Sequence, residues 1–119
     1  MTELGWLSAG AIASATARGE SAATQMIDHT LARIARCNTV LNAFTAVAAE
    51  RARSRAAEKP AGPLAGVPFA VKNLIDVDRL PTLAGSKINR EHAPARADAT
   101  LISRLARLSL LDGQKVPRD

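Results

Sequence analysis

The sequence predicts an α/β fold with an incomplete sheet. Its segments follow a helix–strand–helix–strand–helix order, and such alternation is typical of α/β proteins. Apolar residues recur at three- and four-residue spacing in the segments assigned to helices. One short apolar run, residues 69–71, stands between turn-forming residues and is typical of a buried strand. Because only about two strands are predicted, too few for a stable open sheet, we expect the sheet to be incomplete.

The chain is predicted to begin with two helices. Ser8 has the side chain of a helix N-cap, and Gly19 is suited to end a helix over residues 9–18. Ser21 is expected to cap a second helix over residues 22–37. Because the connection between them is short, we expect the two helices to pack as an antiparallel hairpin.

The second helix carries one apolar stripe and is predicted to end at Asn38. The stripe has helical spacing and consists of Ala23, Met26, Ile27, Thr30, Leu31 and Ile34. Cys37 is the only cysteine, so neither an intrachain disulfide nor a zinc-binding pair is possible. It lies near the predicted helix end, where the helix dipole disfavours a thiolate, and we interpret it as structural.

The central part is predicted to alternate between strand and helix. A short strand is expected within residues 40–47, followed by an arginine-rich helix, exposed on one side, over residues 48–58. Prolines and glycine in residues 59–63 end this helix. The run at residues 69–71 then predicts a short, fully buried strand that Lys72 closes.

The later part is predicted to be mostly irregular. Residues 73–96 contain prolines and glycines that mark turns, and long loops are often functional. Asp76 is expected to bond loop backbone, and Gly66 with Pro68 to fix the path into the strand. Asp98 is expected to cap a final helix, whose apolar face carries Leu101, Ile102, Leu105 and Leu108.

Composition and charge restrict the possible functions. A chain of 119 residues allows one domain, and its net charge is +5. The arginines stand singly along predicted helices without aromatic residues to stack on bases, so no nucleic-acid binding is predicted. No apolar stretch of about 18 residues is present, and the N-terminus lacks a signal-peptide pattern. We expect a cytoplasmic chain with no membrane segment, cofactor or metal site.

Lys72 is the main candidate for chemistry. Burial of an ammonium without a partner is expensive, so a lysine that closes an apolar strand either reaches water or serves a function. A lysine held away from water loses its proton more easily and becomes a usable base. Lys72 is therefore the one residue that the pattern marks for catalysis.

Residues 62–77 read GPLAGVPFAVKNLIDV, and this run resembles the lysine-bearing segment of the amidase signature family. The resemblance continues through three shorter elements: LPTLAGS at residues 80–86, ADAT at residues 97–100 and LNAF at residues 41–44. It extends over residues 8–108, most of the chain. The variant at residues 84–90, AGSKINR, is most similar to the branch that contains 1-carboxybiuret and allophanate hydrolases.

The resemblance implies the N-terminal portion of the amidase-signature fold, a helical hairpin followed by strands of a mixed sheet flanked by helices. It also implies amide hydrolysis by a Ser–cis-Ser–Lys triad, in which the lysine takes a proton from the bridging serine. Lys72 matches the triad lysine. Both serines belong to a Gly/Ser-rich segment without a counterpart here, and Ser86 matches a separate loop, so it is not expected to be the nucleophile.

The final residues depart from the family pattern. Residues 108–119 read LSLLDGQKVPRD, whereas the family has an apolar strand followed by the Gly/Ser-rich segment. We therefore expect residues 1–107 to be the N-terminal part of an amidase-signature domain. Residues 108–119 are expected to be a divergent tail produced by truncation or a frameshift. The chain alone is then predicted to be marginally folded and inactive.

Three functional hypotheses remain open. The first is a truncated amidohydrolase whose parent enzyme hydrolyses the C–N bond of a small amide or urea-derived substrate. The second is a fragment of the A subunit of a glutamine-dependent aminoacyl-tRNA amidotransferase. The third is a non-catalytic helical module whose exposed apolar faces bind a protein partner or a second copy of the chain.

Overall fold

The computed structural model describes residues 4–108 and the backbone of one further strand. The helices and strands are, in chain order, α1 (Ala9–Ala17), α2 (Ala23–Leu41), β1 (Ala46–Val47), α3 (Ala49–Ala57), β2 (Pro68–Lys72), α4 (Thr100–Arg107) and β3 (Leu111–Val116). Short 3₁₀ turns lie at Leu4–Trp6 and Ile88–Glu91. Of the predicted divergent tail, residues 109–110 and 117–119 lie outside the described residues.

The residues predicted to begin and end α1 are confirmed in those roles. The Ser8 hydroxyl accepts a hydrogen bond from the backbone N–H of Ala11 at 3.2 Å, as an N-cap does. At the other end Gly19 adopts a φ of +70°, a left-handed conformation that glycine adopts at little cost. Both ends of this helix are therefore set by single residues close in sequence.

Helix α2 begins differently from the prediction. Ala22, not Ser21, occupies the N-cap position, and its backbone N–H donates to the Gln25 side-chain oxygen at 3.1 Å. The long glutamine side chain thus satisfies a free N–H group from within the first turn.

The end of α2 also corrects the sequence interpretation. Asn38 stays inside the helix, and its side chain bonds the backbone N–H of Phe44 at 2.8 Å and its carbonyl at 3.1 Å. The helix continues to Leu41 and ends at Asn42, which has a φ of +48°. Asparagine tolerates this left-handed conformation better than most residues. Asn38 therefore holds the segment that follows α2 in place, and α2 does not end at Asn38.

The core lies along α2. Its predicted stripe is buried and packs mainly on α3, in a cluster of Ala23, Ile27, Leu31, Ala52 and Ala56. The alanines of α3 let the two helices approach closely. The predicted α1–α2 hairpin is a smaller contact, made where Ile12 and Ala13 meet Met26 and Val67.

The described strands pair in the order β1-β3-β2. Strand β3 runs antiparallel to β1 and parallel to β2, with Lys72 opposite Val116. The sequence did not predict β3, and the strand expected within residues 40–47 is limited to Ala46–Val47, since α2 extends to Leu41. Strand β2 therefore lies at one edge of the described sheet.

Strand β2 is half buried, not fully buried as predicted. Val71 is buried in a cluster with Val77 and Ile102, whereas Ala70 and Lys72 are exposed. Successive side chains of a strand point to opposite faces, and only one face of β2 packs on the core. The short run of apolar residues did not distinguish these two faces.

Helix α4 lacks the predicted Asp98 cap. Ala99 holds the N-cap position, while the Asp98 carboxylate bonds Arg51 and the backbone N–H of Asp78. The charged guanidinium is a stronger donor than a helix N–H group. On the predicted apolar face Ile102 is buried, whereas Leu101 stays largely exposed.

Candidate functional site

Lys72 lies at the end of β2, where the chain turns into the following loop. The turn is closed by a hydrogen bond from the Ile75 backbone N–H to the Lys72 carbonyl at 3.1 Å. The side chain is exposed and makes no hydrogen bond to the part of the chain that the structure describes. Of the two alternatives given for Lys72, this chain shows the one in which the amine reaches water, because the side chain projects from the open face of β2.

Asn73, the next residue, is the buried polar centre of this region. It is 2% exposed. Its side-chain Nδ2 donates to the Thr45 hydroxyl at 2.9 Å, and its Oδ1 accepts from the Leu83 backbone N–H at 3.2 Å. Its backbone carbonyl accepts from the Ala84 N–H at 2.8 Å. Sequence reasoning noted Asn73 only as part of a motif, because none of its partners is a sequence neighbour.

The loop that bonds Asn73 forms a tight turn over residues 83–86. Ala84 and Gly85 have φ values of +47° and +73°, and the Ser86 N–H donates to the Leu83 carbonyl at 2.9 Å. The same carbonyl accepts from the Asn89 side chain at 2.9 Å. Ser86 thus belongs to the turn, and no hydrogen bond joins it to Lys72 within the described region.

Two further contacts hold the loop after β2. The Asp76 carboxylate accepts from the Thr82 hydroxyl at 2.6 Å, whereas the prediction assigned it a backbone partner. The Asp76 carbonyl accepts from the Ala99 N–H at 3.0 Å, which joins the loop to the start of α4. The loop is therefore fixed at both ends.

Gly66 fixes the path into β2, as predicted. Its φ is +77°, and a Cβ at this position would lie 2.7 Å from the Thr16 hydroxyl oxygen of α1. A side chain would therefore be strained in the backbone and would also clash with α1.

An open groove lies between α3 and the loop after β2. It has a volume of about 760 Å³ and is lined by charged residues of α3 and of this loop, among them Arg51, Arg55 and Asp98. Partial burial opposes ionisation of Asp98, but the Arg51 hydrogen bond, the Asp78 N–H and the charges of Arg51 and Arg55 together lower its pKa. Lys72 does not line this groove.

Clusters of metal-binding side chains and helices of membrane-spanning type are both absent from the part of the chain that the structure describes. Residues 4–108 hold no group of His, Cys, Asp and Glu side chains with the arrangement of a metal site. Within the same residues, no helix combines the length and the apolar character that a membrane crossing requires. Cys37 is half-buried on α2.

Comparison with known proteins gives consistent results. The Amidase family profile matches residues 25–111. AtzE, a subunit of the 1-carboxybiuret hydrolase of Pseudomonas sp. (strain ADP), is 46% identical over 97 residues, covering 75% of this chain and 21% of that protein. The A subunit of the glutamyl-tRNA(Gln) amidotransferase of Salinispora tropica is 41% identical over 113 residues, covering 88% of this chain and 23% of that protein.

The fold is also similar to solved structures. One of them superposes on this chain with a TM-score of 0.85. It is the inhibitor-bound form of a vestigial protein complex that is described as revealing the evolutionary origins of an s-triazine catabolic enzyme. It is 40% identical in sequence, and the match covers 91% of this chain and 25% of that chain. This chain thus spans about a quarter of the length of the proteins that it matches.

Proposed function

This chain belongs to the amidase family, and on that premise we propose that it is the N-terminal, lysine-bearing part of an amidohydrolase. The complete enzyme hydrolyses the C–N bond of a small amide or urea-derived substrate. Lys72 is its proton acceptor, and the two serines of the triad lie outside these 119 residues.

The proposed chemistry assigns one role to Lys72. Its amine takes the proton of a bridging serine, and that serine in turn activates the nucleophilic serine. The nucleophile attacks the amide carbonyl, an acyl-enzyme forms as the amine leaves, and water releases the acid. The residues of this chain supply the base and the loops that hold it, while nucleophile and oxyanion donors come from elsewhere.

The observation that carries the proposal is the position of Lys72. It stands at the end of β2, inside residues 25–111 that match the family, and its neighbour Asn73 is tied to two separate segments. A merely solubilising lysine needs no such support. The exposed amine is also open to contact by other polypeptide segments.

A second candidate function is favoured by a separate observation. The amidotransferase relative from Salinispora tropica matches a larger share of this chain than AtzE does, 88% against 75%. The complete protein would then release ammonia from glutamine for transfer to an aminoacyl-tRNA. Both relatives are named as subunits, which also favours a protein partner for the complete protein. The nucleotide sequence downstream of codon 119 tests these alternatives, since the remainder of either enzyme would be encoded there.

A chimera tests the role of Lys72. Residues 1–107 of this chain replace the matching segment of AtzE, and hydrolysis of 1-carboxybiuret is measured. Lys72→Ala is expected to lower kcat by about 100-fold or more, because proton transfer by a positioned base contributes about that much. Lys72→Arg is expected to be equally damaging, since a guanidinium does not give up its proton.

The matched control is Lys87→Ala, which removes another exposed lysine from the neighbouring turn. It is expected to leave kcat within about twofold of the unmodified chimera, as surface changes usually do. Full hydrolysis by an active chimera that carries Lys72→Ala would refute the proposed role.

A further inference from the structure

The turn at residues 83–86 adopts a backbone conformation that needs external support. Ala84 has a φ of +47°, in the left-handed region that is unfavourable for residues with a Cβ. Such residues persist only where the surroundings hold them in place, and they concentrate at functional sites.

Asn73 supplies a large part of that support. Two consecutive backbone N–H groups of the turn, those of Leu83 and Ala84, donate to its side-chain oxygen and its carbonyl. Its amide nitrogen is bonded to Thr45, which lies 28 positions earlier in the chain. One buried side chain therefore links the end of β2, the segment before β1 and the strained turn.

We propose that Asn73 is a positioning residue for Lys72. Asn73 clamps the strained turn and the Thr45 segment to the end of β2, from which the lysine projects. A buried amide that is bonded through both its oxygen and its nitrogen resists rotation, because each bond lost would leave a polar group without water. The peptide between Lys72 and Asn73 is thereby held in one orientation. This inference rests on the proposed function of Lys72.

The clamp is tested by NMR on the full 119-residue chain. Asn73→Leu removes both side-chain bonds at similar volume. Hydrogen-exchange protection of the Leu83 and Ala84 amides is expected to fall about 10-fold or more, since about 1.4 kcal/mol corresponds to tenfold. The backbone amide and Cα signals of Lys72, assigned by triple-resonance experiments, are expected to shift towards random-coil values.

Two conservative variants complete the test. Asn73→Asp keeps an acceptor for Leu83, and the Thr45 hydroxyl can donate to the new carboxylate, so both the protection and the Lys72 signals are expected to be retained. Thr45→Val leaves the Asn73 amide group unpaired and is expected to shift the Lys72 signals in the direction that Asn73→Leu does. If Asn73→Leu does not fold, Thr45→Val decides the outcome.

Asn89→Leu is the matched control, because it removes a bond to the Leu83 carbonyl from a residue that makes no hydrogen bond to Lys72 or Asn73 within the described region. It is expected to loosen the turn while leaving the Lys72 signals in place. Unchanged Lys72 signals in folded Asn73→Leu, or equal shifts in Asn89→Leu, would overturn the positioning role. A chimera insensitive to Lys72→Ala would instead remove the proposed function and leave the clamp measurements standing.

Discussion

Replacing Asp98 is expected to destabilise the chain strongly, because its carboxylate joins three segments. Asp98 lies just before α4 and accepts from Arg51 of α3 at 2.7 Å and from the Asp78 backbone N–H at 2.8 Å. Only 20% of the Asp98 side chain and 26% of Arg51 are exposed. A hydrogen bond to a charged group contributes about 1.5–3 kcal/mol, and the open groove reduces this through hydration. We therefore expect Asp98→Ala to lower the free energy of unfolding by about 2–4 kcal/mol.

Two further variants separate the ion pair from general effects of substitution. Asp98→Asn keeps an oxygen for the Asp78 N–H but replaces the oxygen that accepts from Arg51 with an NH₂ group, so about 1–2 kcal/mol is expected from the loss of the ion pair. Asp28→Asn is the matched control. Asp28 pairs at 3.0 Å with Arg53, which lies on α3 as Arg51 does, but both side chains of this pair are more than half exposed. Its effect is expected to stay below about 0.5 kcal/mol. Urea unfolding followed by circular dichroism measures all three.

The same carboxylate predicts a pH dependence. The pKa of Asp98 is lowered in the folded chain, relative to an ordinary value of 3.8. Its stabilising contribution is therefore complete above that value and is lost as the pH falls through the lower folded pKa. The stability difference between the parent chain and Asp98→Asn should be constant near neutral pH and shrink below about pH 4. Equal destabilisation by Asp98→Asn and Asp28→Asn would refute this reasoning.

Three other substitutions have clear expectations in the same unfolding assay. Gly66→Ala places a Cβ 2.7 Å from the Thr16 hydroxyl oxygen at a residue whose φ is +77°, and it should lower the free energy of unfolding by about 2 kcal/mol or more. A loss below about 0.5 kcal/mol would show that α1 shifts to accommodate the methyl group at little cost. Ser8→Ala removes the hydrogen bond to the Ala11 N–H and should cost about 1 kcal/mol, with loss of helicity at α1 as a second readout. Ala52→Leu inserts volume at a position that is 0% exposed between α2 and α3, and about 1–3 kcal/mol is expected; a neutral result would indicate a gap there.

The helices were predictable from sequence where their signals are local. Ser8 and Gly19 define α1 through contacts within a few residues, and α3 was predicted within residues 48–58 as an arginine-rich helix exposed on one side, where Ala52 and Ala56 are buried and Arg53 is exposed. The apolar stripe of α2 was also correct, since burial of one helix face follows directly from a 3.6-residue period. The family, too, followed from residues that are close together in sequence.

The errors share a different cause. Asp98 and Asn38 both looked like helix ends, yet each side chain has partners that lie elsewhere in the fold. Strand β3 was missed because its pairing with β1 and β2 is long-range and its apolar content is low. Asn73 was overlooked for the same reason, since its environment depends on Thr45 and Leu83.

Lys72 shows how far a local pattern specifies a candidate catalytic group. The sequence placed it correctly at the end of a strand, but its exposure depends on what covers the open face of β2. A lysine gains the character of a base when water is kept from its amine. Catalysis through Lys72 therefore requires that another polypeptide segment cover this face and bring the serines with it. The 119-residue chain alone should accordingly show no turnover of amides or glutamine, whereas the chimera should be active. Turnover by the chain alone would show that the described residues already form a complete site.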